Sequence, residues 1–230
     1  LPELDFIAED LGYMTPEVRQ LQLDSGYPGM KVLEFGFDSR EESDYLPHLY
    51  PVDSVCYTGT HDNVTLKQWF DEASPEDIGL AKAYLGLNGE EGCLWGMIRG
   101  CMGSVSKLCV IQMQDYLELG ASARMNFPGT LSANNWTWRA RSGFMTEELT
   151  KRIFEEGHEI GLHGYSHKTM KGMSRRAIAQ EIQDTEVLLP EGCHPRFLRP
   201  PGGFLSDPVV QVAQARGLPI LKWSVDPKDW

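Results

Sequence analysis

The sequence predicts an α/β protein built on parallel strands. Short apolar runs rich in Val, Ile, Phe and Tyr recur along the 230 residues, and segments of helical period separate them, the alternation of a parallel sheet with crossover helices. A content of 41% apolar and 23% charged residues suits a globular chain with one sizeable core or two small ones. No repeat, low-complexity stretch or Pro/Ser/Gly linker interrupts the pattern.

Taken in chain order, the strand candidates are 5–9, 31–37, 54–58, 107–113, 159–163, 196–199 and 219–224, seven in all. Thr15-Pro16 and Ser74-Pro75 each set a capping hydroxyl before a proline at the first helical position, and Ser174 and Ser206 are placed to cap two later helices. Gly26, Gly157 and Gly217 fit helix ends that need a left-handed residue. A helix over about 146–156 aligns Leu149, Ile153 and Phe154 on one stripe, so it should lie against a sheet.

Thirty-three acids against 21 Lys+Arg leave a net charge of -12, which repels phosphate backbones and anionic lipid surfaces. Neither nucleic acid nor membrane is therefore an expected partner. No run of 18 apolar residues exists, and the opening Leu-Pro-Glu-Leu-Asp has no signal-peptide character, so a soluble chain is expected. Five cysteines, an odd number with no CxxC pair, are expected to be reduced and mostly buried. A start at Leu1 and an end on the polar run 226–230 imply a piece of something larger.

Two strand ends carry acids. Residues 7–12 close a strand with Glu9 and Asp10, and alternation sends these to opposite sides, so only one can face a shared pocket. Residues 57–63 run an apolar strand straight into Thr60, His61, Asp62 and Asn63. Paired carboxylates across a cleft are the equipment of glycosidic chemistry. Glu9 offsetting a helix dipole and Asp62 capping a helix from Val64 would explain the same spacing. Trp69, Trp95, Trp136 and Trp138 can stack on sugars or pack in a core; Trp136 and Trp138, in a polar stretch, are the better stacking candidates.

The motifs AEDLG, PGMKVLEF, YLPH, YTGTHDN, MQDYLELG, ARMNFPGT and NNWTWR follow one another in order, and through them residues 1 to about 152 resemble the C-terminal half of the 4-alpha-glucanotransferases, the amylomaltases of glycoside hydrolase family 77. The resemblance implies a TIM-type barrel and retaining transfer of α-1,4-glucan or malto-oligosaccharide segments, without metal or cofactor. It implies Glu9 as general acid/base, Asp62 as the carboxylate that grips sugar hydroxyls and stabilises the transition state, and His61 and Asn63 as sugar-binding neighbours. Leu49 and Val64 depart from the family's usual Asn and Asp. The family's nucleophilic Asp belongs to a strand ahead of Leu1, so impaired transfer is expected.

From about Phe154 the motifs change. His163 and His167, four apart in HGYSH, suit a borderline metal, while a surface loop or an N-capping Ser166 would also explain them. Together with RFLRPPGG and WSVDPKDW they resemble the middle part of the polysaccharide deacetylases of carbohydrate esterase family 4, across 154–230. That resemblance implies zinc or a similar divalent ion on His163 and His167, and an N-acetylated polysaccharide as substrate. It also implies Arg199 orienting a base, Gly202 assisting the oxyanion, Asp229 tuning a histidine and Trp230 walling the pocket. The family's Asp-Asp pair and catalytic His have no counterpart in this stretch.

The two resemblances together predict a partial glucanotransferase barrel over 1–152 joined to a partial deacetylase barrel over 153–230, with about seven strands. A junction inside an amphipathic helix rather than at a linker points to a recombined, misassembled or deliberately chimeric chain. A non-catalytic sugar-binding fragment is the alternative to an enzyme, and the cytoplasm is the expected compartment.

Overall fold

The computed structural model describes residues 6–12, 14–141 and 143–222. It divides into two compact units, the first ending at Ala140 and the second beginning at Arg141. The junction expected at 152 falls inside a helix of the second unit.

In the first unit a three-stranded parallel sheet is ordered β1 (Gly29–Val32), β2 (Ser54–Tyr57), β3 (Leu108–Val110). Ala8 extends it by a parallel bridge to Gly29. Helix α1 (Pro16–Ser25) precedes β1, helices α2 (Leu66–Glu72), α3 (Pro75–Leu85) and α4 (Cys93–Met102) connect β2 to β3, and the single turn α5 (Met113–Tyr116) follows β3. The α/β class with parallel pairing is as expected, but a seven-stranded barrel is not what the described residues form.

Two of the expected strands are cut short for local reasons. After Val32 the chain winds into a 3-10 turn, Leu33–Gly36, which sends Leu33 and Glu34 inward; a Cβ on Gly36 would lie 2.7 Å from the Tyr45 carbonyl oxygen. Beyond Val110 the chain leaves the ladder, and the Asp115 N–H donates to the Gln112 carbonyl as α5 begins. Val32, Leu33, Val55, Leu66, Met97 and Ile98 form the buried centre. Of the tryptophans, Trp95 is buried against Tyr116 in the core, and Trp69, half-buried, packs edge-on against Phe37.

The second unit contains α6 (Glu147–Glu155), α7 (Arg175–Glu186) and α8 (Asp207–Ala215). Among the described residues its three strand candidates are reduced to parallel bridges, Leu162 with Leu198 and Leu198 with Ile220, and positions 223 and 224 of the third candidate lie outside them. The reason is donor loss: Pro195, Pro200, Pro201 and Pro219 bracket the pairing segments and offer no N–H to a ladder. What remains is held by short bonds, Leu162 N–H to Phe197 O and Arg199 N–H to Leu162 O at 2.9 and 2.8 Å. Leu162, Leu198, Met170, Ile178, Ile182, Val209, Val212 and Leu218 make its core.

The capping expectations hold in detail at three of four sites. Thr15, Ser74 and Ser174 accept from the amides of Val18, Asp77 and Ala177. Ser206 occupies the cap position of α8, but its hydroxyl is buried without a partner, so it caps by backbone position alone. Gly26, Gly157 and Gly217 all take positive φ at helix ends. The stripe of α6 is a correction: Leu149, Ile153 and Phe154 are only half-buried and the helix has no fully buried residue.

Gly161 is required by contact. A Cβ there would stand 2.0 Å from Cε2 of Phe197 and 2.4 Å from its Cζ. Gly161→Ala must therefore displace that ring, and a loss of about 1–3 kcal/mol in unfolding free energy is expected from urea titration. An unchanged midpoint would show that Phe197 moves freely.

Candidate functional site

Parallel strands deliver their carboxyl ends to one side of a sheet, and that is where the polar residues of the first unit collect. A cleft of about 570 Å³ there is lined by Glu9, Tyr57, His61, Asp62, Asn63 and Gln112, with Phe35 and Pro128 among its apolar walls. The two carboxylates singled out from the sequence thus share one cavity. Asp10, next to Glu9, faces away, accepting the Met30 N–H at 2.6 Å and pinning the residue 8 segment to β1. Alternation explains the division of labour between the neighbours.

The loop after β2 is held from within and from without. Asn63 Oδ1 accepts both the Thr60 amide and the Thr60 hydroxyl, at 2.9 and 2.8 Å, and Asp62 N–H donates to Thr60 Oγ1. Asp62 therefore does not cap α2; Thr65 does, accepting from Gln68 N–H. Asn126 Nδ2 donates to Asp62 Oδ1 at 2.6 Å, Arg124 donates to the Asp62 carbonyl at 2.7 Å, and His61 Nε2 lies 3.4 Å from the same Oδ1. One carboxylate oxygen is thereby fixed and the side chain oriented. Trp136, at positive φ, sets its ring 4.8 Å from that of His61, while Trp138 is half-buried and has no described contact with the cleft. Leu49 and Val64 do not line this cleft.

Beneath the loop lies a second, hidden pair of acids. Asp115 is fully buried; its Oδ2 accepts the Thr58 hydroxyl at 2.6 Å and its Oδ1 the Leu66 amide at 2.8 Å. Burial pushes its carboxyl up to about 6, against the pull of those hydrogen bonds. Glu34, 6% exposed, has Oε1 buried without a partner, and a Cβ on Gly59 would stand 3.2 Å from that atom. Burial, then the charge of Asp115, hold Glu34 well above the ordinary carboxylate range, with Arg124 opposing. Tyr57 is raised by burial and by the charges of Cys56 and Glu9. Sequence reasoning assigned no role to Asp115, Glu34, Arg124 or Asn126. The available signal was a polar residue embedded in each of the motifs MQDYLELG, PGMKVLEF and ARMNFPGT.

In the second unit His163 follows the Leu162 bridge. Its Nδ1 donates to the Arg199 carbonyl at 2.5 Å, which leaves Nε2 as the bare nitrogen, and that atom lies 3.1 Å from His167 Nε2. Glu181 of α7 holds the intervening turn, accepting from the Ser166 amide and hydroxyl at 2.8 and 2.7 Å. Ser166 is thus not an N-cap. Two nitrogens at that separation fit a metal bonded at about 2.0–2.1 Å. Among the described residues no third His, Cys, Asp or Glu completes the set. Gly202 takes φ 68° in an exposed turn. Asp229 and Trp230 lie outside the described residues.

No helix among the described residues is long and apolar enough to cross a membrane. The family model for 4-alpha-glucanotransferase matches residues 1–146, and that for polysaccharide deacetylase matches residues 120–221. A 4-alpha-glucanotransferase of Clostridium butyricum is 45% identical over 153 residues, 66% of this chain and 31% of the relative. One from Streptococcus pneumoniae is 45% identical over 161 residues, 68% of this chain and 30% of its own length. A solved amylomaltase from Streptococcus agalactiae, in complex with acarbose, superposes with a TM-score of 0.62 at 36% identity, covering 65% of this chain and 30% of that one. The chain spans about a third of the length of these relatives. A polar cleft at the carboxyl ends of parallel strands and a family model that matches more than half of the residues agree, and the chain belongs to the 4-alpha-glucanotransferase family.

Proposed function

We propose that the cleft of the first unit binds α-1,4-glucan and carries the acid/base half of 4-alpha-glucanotransferase-type transglycosylation. The observation that carries this is the meeting of Glu9 and Asp62 in one cavity, with Asp62 oriented by Asn126 and His61. Glu9, exposed at the strand end, protonates the departing glycosidic oxygen and later removes a proton from the acceptor hydroxyl. Asp62 accepts sugar hydroxyls and stabilises positive charge developing at the anomeric carbon. His61 and Asn63 bind the same sugar, and Trp136 and Trp138 are assigned to stacking on it. The acarbose held by the solved amylomaltase is an α-glucan mimic, which supports this substrate class.

A retaining mechanism also needs a nucleophilic carboxylate about 5–5.5 Å from the acid. Among the described residues Glu9 and Asp62 are the only carboxylates lining the cleft, and Asp62 is assigned to the sugar. We propose on this reading that transfer is slower by several powers of ten than with a complete acid/nucleophile pair. Calorimetry with maltotriose, run beside a disproportionation assay, tests the reading. Saturable binding that falls at least tenfold in Asp62→Ala supports it, and binding unaffected by that substitution removes it. Binding without turnover would make the chain a sugar-binding fragment.

The facing imidazoles favour a second reading for residues 153–230, that of metal-dependent polysaccharide N-deacetylation in the cytoplasm or beyond it. His163 and His167 would hold zinc or a similar divalent ion, which when bound activates water toward an N-acetyl carbonyl. The Arg199 carbonyl fixes the His163 tautomer, and we assign the Arg199 side chain to orienting a base, Gly202 to the oxyanion, Asp229 to tuning a histidine and Trp230 to the pocket wall. Acetate release from an N-acetylated glycan that disappears in His163→Ala would establish it.

A further inference from the structure

Away from the cleft, three cysteines on three elements converge. Cys56 stands in the middle of β2, Cys109 is its direct partner across the ladder on β3, and Cys101 comes down from the last turn of α4. Their three sulfurs all lie within 4.8 Å of one another, with Cys101 and Cys109 Sγ 3.6 Å apart. Cys56 and Cys101 are fully buried, whereas Cys109 is half-buried on the edge strand, leaving a way in from solvent. All five cysteines are free thiols.

Three thiolates bonded at about 2.3 Å around one thiophilic ion stand roughly 4 Å from each other, which the observed spacing brackets. Two further features suit an ion here. Ser104 Oγ sits 3.3 Å from Cys56 Sγ, close enough to supply a fourth donor. The Tyr50 hydroxyl, on a residue only 5% exposed, has no hydrogen-bond partner among the described residues. A buried donor without an acceptor is costly, and a metal thiolate accepts more strongly than a neutral thiol.

We infer that Cys56, Cys101 and Cys109 form a binding site for a thiophilic divalent cation of the zinc class, seated between β2, β3 and α4. Binding converts three S–H groups to metal–thiolate bonds and releases three protons to solvent; no electron is transferred. The ion would clamp the outer strand of the sheet to the helix that covers it, far from the histidine pair of the second unit in sequence and different in ligand chemistry.

Cadmium chloride, titrated into the whole chain in a phosphine-reduced, weakly buffered solution, is the probe. The site predicts one equivalent carrying an ultraviolet sulfur-to-cadmium charge-transfer band, with proton release, and a melting temperature that rises with free metal. Cys56→Ser, Cys101→Ser and Cys109→Ser should each abolish the band, and Cys93→Ser and Cys193→Ser should leave it intact. Should a core variant not fold, X-ray absorption on the unaltered cadmium-loaded chain reads the ligand set directly. A shell of three sulfurs upholds the site; a shell of nitrogen and oxygen, or no band at all, overturns it.

Discussion

Glu9→Gln is expected to lower maltotriose disproportionation by roughly 10²–10⁴-fold while leaving maltotriose binding within a factor of two. Glutamine keeps the shape and hydrogen-bonding reach of the side chain but has no proton to give to the departing oxygen. Glu9 is exposed at the mouth of the cleft, so the change costs little in packing. An activated aryl maltoside separates this role from a general loss of structure. Its leaving group departs without protonation, so Glu9→Gln should slow that substrate far less than maltotriose. Equal losses on both substrates would mean that Glu9 acts on binding or on the fold and not as the acid.

The second large effect is on stability. Asp115→Ala strips the only described acceptors from the Thr58 hydroxyl and the Leu66 amide, both on fully buried residues, and a loss of about 2–5 kcal/mol is expected in urea unfolding. Asp115→Asn behaves differently. Its amide oxygen still accepts from Leu66 and its amide nitrogen donates to Thr58, whose hydroxyl turns to accept. What Asn removes is the pH dependence. The Asp115 carboxyl titrates near 6 when folded and near 3.8 when unfolded, so the folded chain binds more protons between those values. Stability contributed by the protonated acid is therefore fully present below about pH 4 and is lost as pH rises through about 6, a change on the order of 3 kcal/mol. The buried Glu34 acts in the same sense. Unfolding curves at several pH values between 4 and 7.5 should slope in the unaltered chain and flatten in Asp115→Asn. A wild-type curve that gains stability toward pH 7 would show that Asp115 stays charged in the fold.

Where the sequence was informative, it was so through local chemistry. A hydroxyl before a helix-starting proline decides a cap within four residues, so Thr15 and Ser74 were legible, and an acid placed after an apolar run marks a strand end, so Glu9 and Asp62 were too. Ser206 shows the limit, since it too is a hydroxyl ahead of a helix start, with Asp207 between it and Pro208, while its own hydroxyl meets no amide. The strands of the second unit were overestimated because apolar runs show where a strand could lie, whereas prolines on both sides decide how many ladder bonds it can make.

The family, the parallel α/β class and the identity of the two acidic strand ends were determined by the sequence alone, since each rests on residues adjacent in the chain. Only the tertiary structure decided that Glu9 and not Asp10 shares a cavity with Asp62, that Asp115 and Glu34 are buried beneath it, and that three distant cysteines meet between a helix and two strands. The physical reason is that a side chain's direction and its loss of water are set by neighbours far away in sequence. Those neighbours exist only once the sheet has paired and the helices have closed over it.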